Sequence, residues 1–178
     1  MEYKDSGDKI DTAKKILKVD HAGEFGAINI YRAQIMVSSI FGGKYVPMLE
    51  RFLEDEERHL SIFWREITRR DGIKCKSYWL CGVGGYFLGL VSALLGKKGI
   101  MACTWAVESI VTGHLKKQLV YLGSIGDKEA YNAVHSILAD EERHRDIGDI
   151  EGGKYFWFTP VRFLTSLVTE AVIRFAMR

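Results

Sequence analysis

The pentapeptide Asp-Glu-Glu-Arg-His occurs twice in this chain, at Asp55–His59 and at Asp140–His144, 85 residues apart. Each copy holds a Glu and a His three positions apart, Glu56 with His59 and Glu141 with His144. Each is preceded by a solitary Glu in an apolar stretch. Glu24 stands 32 residues before Glu56, and Glu108 stands 33 before Glu141. Two halves with the same order of ligand-type residues predict four helices gathered around two metal ions.

Hydrophobic periodicity supplies the helices. From about Asp11, the residues Ile16, Leu17, Ala27, Ile28, Tyr31 and Ile35 share a face with Glu24, while residues 1–10 read as a loose lead-in. Pro47 suits the first turn of a second helix that runs to Arg70, with the stripe Leu49, Phe52, Leu53, Leu60, Phe63 and Ile67. A third helix spans Ile100 to Leu122. A fourth spans about Lys128 to Asp149, with Val134, Ile137, Leu138 and Ile147 apolar. Two accessory segments remain, 77–96 and 155–178. The first carries no charge over 20 positions, and the second is apolar and aromatic with Arg162, Arg174 and Arg178 interspersed. At 178 residues, 47% hydrophobic and 27% charged, residues 1–178 fit one domain. The expected fold is all-α, a four-helix bundle with additional apolar helical segments.

On a helix, positions i and i+3 lie about 60° apart around the axis and one turn apart along it, so both side chains can address one point. Glu56 and His59 can share a metal, as can Glu141 and His144. Glu57, Glu142, Asp55 and Arg58 are expected to face away. Four carboxylates turned into one core cost several kcal/mol per uncompensated ion, and two divalent cations cancel them while two imidazoles complete the shell. One Glu from each of two helices and Glu-x-x-His from each of two others is the di-iron or di-manganese arrangement of ferritin-like bundles. Oxygen-rich donors with one imidazole per metal suit iron or manganese better than zinc or copper. The six candidate ligands are Glu24, Glu56, His59, Glu108, Glu141 and His144.

Other residues carry weaker signals. His21, one turn before Glu24, is either a group beside the ligands that relays protons or a plain polar helix residue. Tyr31 reads as core packing, and His114 and His135 as structural or exposed. The cysteines Cys75, Cys81 and Cys103 are odd in number and form no CxxC, which argues against disulfides and thiolate zinc and for a reducing compartment. They read as buried small apolar residues. A net charge of +2 with no dense basic cluster excludes a nucleic-acid binder. The polar start, with its early acids, resembles neither a secretory signal nor a transit peptide and suggests a cytosol-facing location.

As a helix, Tyr78–Leu95 would measure about 27 Å, close to the thickness of a bilayer's hydrocarbon core. One span would strand Glu108 across the membrane from Glu24 and Glu56. A helix lying in the interface fits better, with Lys74, Lys76, Lys97 and Lys98 at headgroup level. A dimer interface or core packing is the alternative use of the same surface.

The chain resembles the demethoxyubiquinone hydroxylases of ubiquinone biosynthesis, the clk/cat family of quinone hydroxylases. The resemblance rests on Val19-Asp20-His21-Ala22-Gly23-Glu24-Phe25-Gly26-Ala27 followed by Ile30-Tyr31, and on Glu56, His59 and Leu60. It rests further on Ala102-Cys103-Thr104 through Val107-Glu108-Ser109-Ile110, and on Asp140-Glu141 running to His144 and Asp146-Ile147-Gly148. It implies a peripheral membrane di-iron monooxygenase at the cytoplasmic face of a bacterial inner membrane. That enzyme would place one oxygen atom from O2 on the ring of a polyprenylated methoxybenzoquinol, with NADH as the ultimate reductant. It also implies iron ligation by the four glutamates, some as bridges, with His59 and His144 terminal. Ser109 departs from the second acid that many relatives carry there. No glycine-rich strand–helix motif marks a dinucleotide domain. A homodimer or other quinone-biosynthesis proteins are conceivable partners. The competing reading, iron storage or peroxide detoxification as in bacterioferritin or rubrerythrin, does not require the uncharged 77–96 segment.

Overall fold

The computed structural model describes residues 2–154, 156 and 159–176, and in this range the side chains of 2–10, 153, 164, 168, 172 and 174–176 are left aside. Helices α1 (Glu2–Ile40), α2 (Val46–Arg69), α3 (Tyr78–Leu94), α4 (Gly96–Ile125) and α5 (Lys128–Gly148) follow in order. A π-helical turn (Asp149–Gly153) leads to α6 (Thr159–Ala176), and no strand occurs among the described residues. The fold is all-α, as the sequence predicts.

Helices α1, α2, α4 and α5 make the bundle. α1 packs on α2 and α4 on α5, with further contacts of α2 with α5 and α1 with α4. α3 lies along α1 and touches α4, whereas α6 lies on α4 and reaches α1. Two apolar clusters fill the interior. One contains Leu17, Phe63, Leu115, Leu122, Val134 and Ile137. The other contains Tyr31, Leu49, Phe52, Ile100 and Met101. Along α1, α2 and α4, Glu24, Glu56 and Glu108 fall between the residues each helix gives to the two clusters, so the carboxylates form a polar layer between two dry ones.

The turns are built from few residues. Gly126 ends α4 at φ 74°, a left-handed conformation that favours glycine. Asp127 then caps α5, its carboxylate accepting from the Ala130 amide at 3.1 Å. The same carboxylate takes two bonds of 2.8 Å from Arg70, at the C-terminus of α2, and so ties α2 to α5.

Two boundaries differ from expectation. Residues 2–10 are helical and not a loose lead-in. They contain no proline that would break the helix. α4 begins at Gly96, ahead of the expected start at Ile100, so Lys97 and Lys98 lie in its first turn. The reversal is completed at Leu95 and Gly96, the latter at φ 72°. The expected accessory helix at 155–178 is described from Thr159. Tyr155, Trp157, Phe158 and Arg178 lie outside the described residues.

α3 approaches α1 through glycine. A Cβ at Gly85 would collide with the Gly26 carbonyl oxygen, and one at Gly89 with that of Ile30. Its other face is greasy and exposed, at Trp79, Leu80, Val83, Phe87 and Leu94. α6 adds exposed Phe163 and Leu167. No helix among the described residues is long and apolar enough to cross a membrane.

Candidate metal centre

The six residues singled out by the repeat converge. Glu24, Glu56, Glu108 and Glu141 are each at most 5% exposed, and His59 and His144 are wholly buried. Their donor atoms form two overlapping groups, Glu24–Glu56–His59–Glu141 and Glu56–Glu108–Glu141–His144, with the atoms of each group within 4.8 Å of one another. Glu56 and Glu141 belong to both groups. Each group thus pairs one solitary Glu and one His with the two shared carboxylates, an arrangement that could hold a cation in each.

The contacts reproduce this symmetry. His59 Nδ1 lies 2.8 Å from Glu141 Oε1 and 3.8 Å from both Glu24 Oε2 and Glu56 Oε2. His144 Nδ1 lies 3.2 Å from Glu56 Oε1. Yet Nδ1 of both histidines and Oε1 of Glu56 and Glu141 are sealed from solvent without a properly directed hydrogen bond. These atoms are near one another but not aimed at one another, as donors around a common centre are. A buried polar atom without a partner is costly, and hard oxygen donors with one imidazole each fit iron or manganese. The residues fit the ions.

The rest of each pentapeptide is also engaged, contrary to the expectation that Asp55 and Arg58 face away. His59 Nε2 lies 3.4 Å from Asp140 Oδ2, and His144 Nε2 lies 3.2 Å from Asp55 Oδ2. Each Asp therefore holds the ring of the histidine in the opposite copy, leaving Nδ1 for the centre. Arg58 binds both aspartates, at 2.6 and 2.7 Å, and Arg143 does the same at the same distances. A carboxylate behind a ligating imidazole fixes its tautomer and raises its basicity. The signal was available in the repeat, which preserves all five positions and not only the Glu and His. Glu57 and Glu142 do face outward, to Arg32 and Lys116.

The electrostatics show a site that demands positive charge. Burial pushes the carboxyls of Glu24 and Glu108 well above the usual range, with neighbouring carboxylates adding to the shift. Burial also opposes ionisation of Glu56, but bonds from His144 and His59 outweigh it and hold that carboxyl below its ordinary value. Burial lowers His59 and His144, and the surrounding carboxylates more than reverse this, so both imidazoles favour the protonated form. Divalent cations would compete with these protons for the same lone pairs.

Tyr31, expected as plain packing, donates its hydroxyl to Glu108 Oε1 at 3.1 Å, an interaction hidden in the sequence by 77 residues of separation. His21 is placed in an aromatic stack, with ring centroids 5.2 Å from Trp64 and 5.1 Å from Tyr78, and burial lowers its pKa to about 4. His114 bonds Glu170 of α6 at 2.8 Å, and His135 stacks on Tyr131. Of the cysteines only Cys103 is fully buried, and burial raises its thiol to about 12. Cys75 and Cys81 are partly exposed, and all three are free.

A mainly apolar cavity of about 120 Å³ opens beside the centre. Glu24, Glu56, Glu108 and Glu141 line it, together with Ala27, Ile30, Val107 and Leu115 from α1 and α4. Cys81 of α3 and Thr169 and Ile173 of α6 complete its walls, so the accessory helices border the approach to the carboxylates.

A family model described as ubiquinone biosynthesis protein COQ7 matches residues 11–176. The chain is 36% identical over 137 residues to the mitochondrial NADPH-dependent 3-demethoxyubiquinone 3-hydroxylase of Dictyostelium discoideum, covering 76% of this chain and 62% of that one. It is 37% identical over 141 residues to the 3-demethoxyubiquinol 3-hydroxylase of Rhodospirillum rubrum, covering 79% and 65%. With the human mitochondrial NADPH-dependent 3-demethoxyubiquinone 3-hydroxylase it shares 34% over 158 residues, covering 83% and 71%. The chain thus spans less than two thirds of the length of the first two relatives.

Proposed function

The chain belongs to the COQ7 family of ubiquinone biosynthesis proteins, and from that premise we propose that it hydroxylates the ring of a polyprenylated methoxybenzoquinol with O2. One oxygen atom enters a ring C–H bond, and the other leaves as water with two electrons and two protons from a reductant. The observation that carries this reading is the junction of an apolar cavity with two overlapping sets of buried carboxylate and imidazole donors.

Two iron ions would be held by Glu24 and His59 on one side and Glu108 and His144 on the other, with Glu56 and Glu141 shared between them. The chemistry iron supplies there, when bound, is activation of O2. The chain's own residues do the rest. Asp55 and Asp140 orient the two imidazoles, and the Tyr31 hydroxyl steadies Glu108. The apolar clusters on either side of the carboxylate layer exclude water, which strengthens each charge interaction within it. The apolar cavity walls take the ring and the start of its tail.

The exposed apolar face of α3, continued by Phe163 and Leu167 of α6, supports docking on a membrane surface, from which a polyprenyl tail reaches the cavity without crossing water. The cytoplasmic face of a bacterial inner membrane and a single domain over residues 1–178 belong to the same reading. The ultimate reductant is taken as NADH, although the Dictyostelium and human relatives carry NADPH in their names.

Iron-loaded protein given a short-chain demethoxyquinol, a reductant and O2 tests the proposal by mass spectrometry. A product one oxygen atom heavier is expected, with the atom drawn from labelled O2. Iron uptake and O2 consumption with unchanged quinol would contradict it and favour storage or detoxification.

A further inference from the structure

A cage of aromatic rings surrounds one ammonium in the loop between α2 and α3. Lys74 Nζ lies 4.1 Å from the ring centroid of Tyr78, 5.6 Å from that of Trp64 and 5.9 Å from that of Trp79. All three fall within the reach of a cation–π contact. Trp64 comes from α2, and Tyr78 and Trp79 open α3. Tyr78 is buried, and its ring stacks on Phe25 and His21 of α1, with centroids 4.1 and 5.1 Å away. The cage is thereby fixed to the bundle on either side of Glu24.

Lys74 remains exposed, and among the described residues no carboxylate pairs with its ammonium. A surface lysine ordinarily loses side-chain entropy on pairing, which cancels much of the gain. Here the rings restrain the side chain before a partner arrives, so less is lost when one binds. The surroundings select that partner. Exposed Ile73, Trp79 and Leu80 flank Lys74 and continue into the apolar face of α3. An anion that meets a cation at the edge of an apolar layer is the phosphate of a lipid headgroup. We infer that the Trp64–Tyr78–Trp79 cage presents Lys74 as the binding site of one anionic lipid headgroup, the ammonium donating to its phosphate. Tryptophan and tyrosine favour the same headgroup level. The inference rests on the membrane docking proposed above and adds the lipid class and the residue that reads it.

Co-sedimentation of the full chain with phosphatidylcholine vesicles, with and without phosphatidylglycerol, tests this. Phosphatidylglycerol should tighten binding of the wild type. Lys74→Ala should reduce that gain by more than the roughly fivefold that one basic residue is worth at an anionic surface. Lys76→Ala, at a neighbour that no ring holds among the described residues, should lose no more than that. Lys74→Arg should keep the gain, because a guanidinium also sits over aromatic rings. Replacing Trp64 and Trp79 together by Leu should weaken the phosphatidylglycerol-dependent part in wild type but change it little in Lys74→Ala. Helicity should be retained throughout. Equal losses from Lys74→Ala and Lys76→Ala would reduce the effect to diffuse attraction and overturn this inference alone. Release of wild type from the vesicles by dilute inorganic phosphate at constant ionic strength would assign the cage to a soluble anion and overturn the lipid source. Failure of wild type to bind either vesicle would overturn the membrane reading, and this inference with it.

Discussion

At the residue scale, the two histidines and the carboxylates they face have different weights. Glu141 contributes to both donor groups and His144 to one. His144→Ala is therefore expected to leave one iron per chain and Glu141→Ala to lose both, read by metal analysis after anaerobic loading and desalting. Equal loss from the two variants would contradict the shared role of Glu141. Asp140→Ala removes the acceptor behind His59 Nε2. It should weaken iron binding about 10- to 100-fold in competition with a chelator, with helicity retained, and unchanged competition would remove Asp140 from the site. The convergence of the six candidate residues was legible because a repeat at matched spacing is a linear signal. Asp55 and Asp140 were marked by the same repeat, but a face assignment along one helix pointed them away, and Tyr31 carried no such mark, because the partners of all three lie on other helices.

At the element scale, Asp127 performs two tasks, capping α5 and binding Arg70 of α2. Asp127→Ala should cost about 2 kcal/mol in denaturant unfolding at neutral pH. The bond from Arg70, helped by the Ala130 amide against partial burial, holds the Asp127 carboxyl below its ordinary value in the folded chain. A depressed folded-state pKa stabilises above the unfolded value of about 3.9, and that contribution is lost as pH falls through the lower folded value. The gap between wild type and variant should therefore be constant near neutrality and close on acidification. A gap that widened in acid would contradict the pairing. The helices themselves followed from periodicity, but their ends did not. The α3–α4 reversal needs only Leu95 and a left-handed Gly96, so the charged Lys97-Lys98 pair, the more conspicuous mark in the sequence, is misleading as a break. Burial of α3 on α1 is likewise hidden, because glycines that permit close backbone approach look in sequence like helix weakeners.

At the scale of the whole molecule, the bundle sets the site between two apolar clusters and turns a second apolar surface outward on α3 and α6. Leu90, apolar like its neighbours, packs inward against the second cluster, whereas Val83, Phe87 and Leu94 are exposed. Replacing these three by Ser should weaken sedimentation with anionic liposomes at least several-fold while sparing the fold, because each loses apolar area that the bilayer would otherwise bury. Unchanged liposome binding with loss of a dimer would assign the face to a second copy instead. The central claim is that the repeat encloses a pair of iron ions, and diffraction at the iron absorption edge from anaerobically loaded crystals tests it most directly. Two anomalous peaks are expected, one beside Glu24 and His59 and one beside Glu108 and His144, with Glu56 and Glu141 between them. A single peak, or iron bound only away from these six residues, would contradict it.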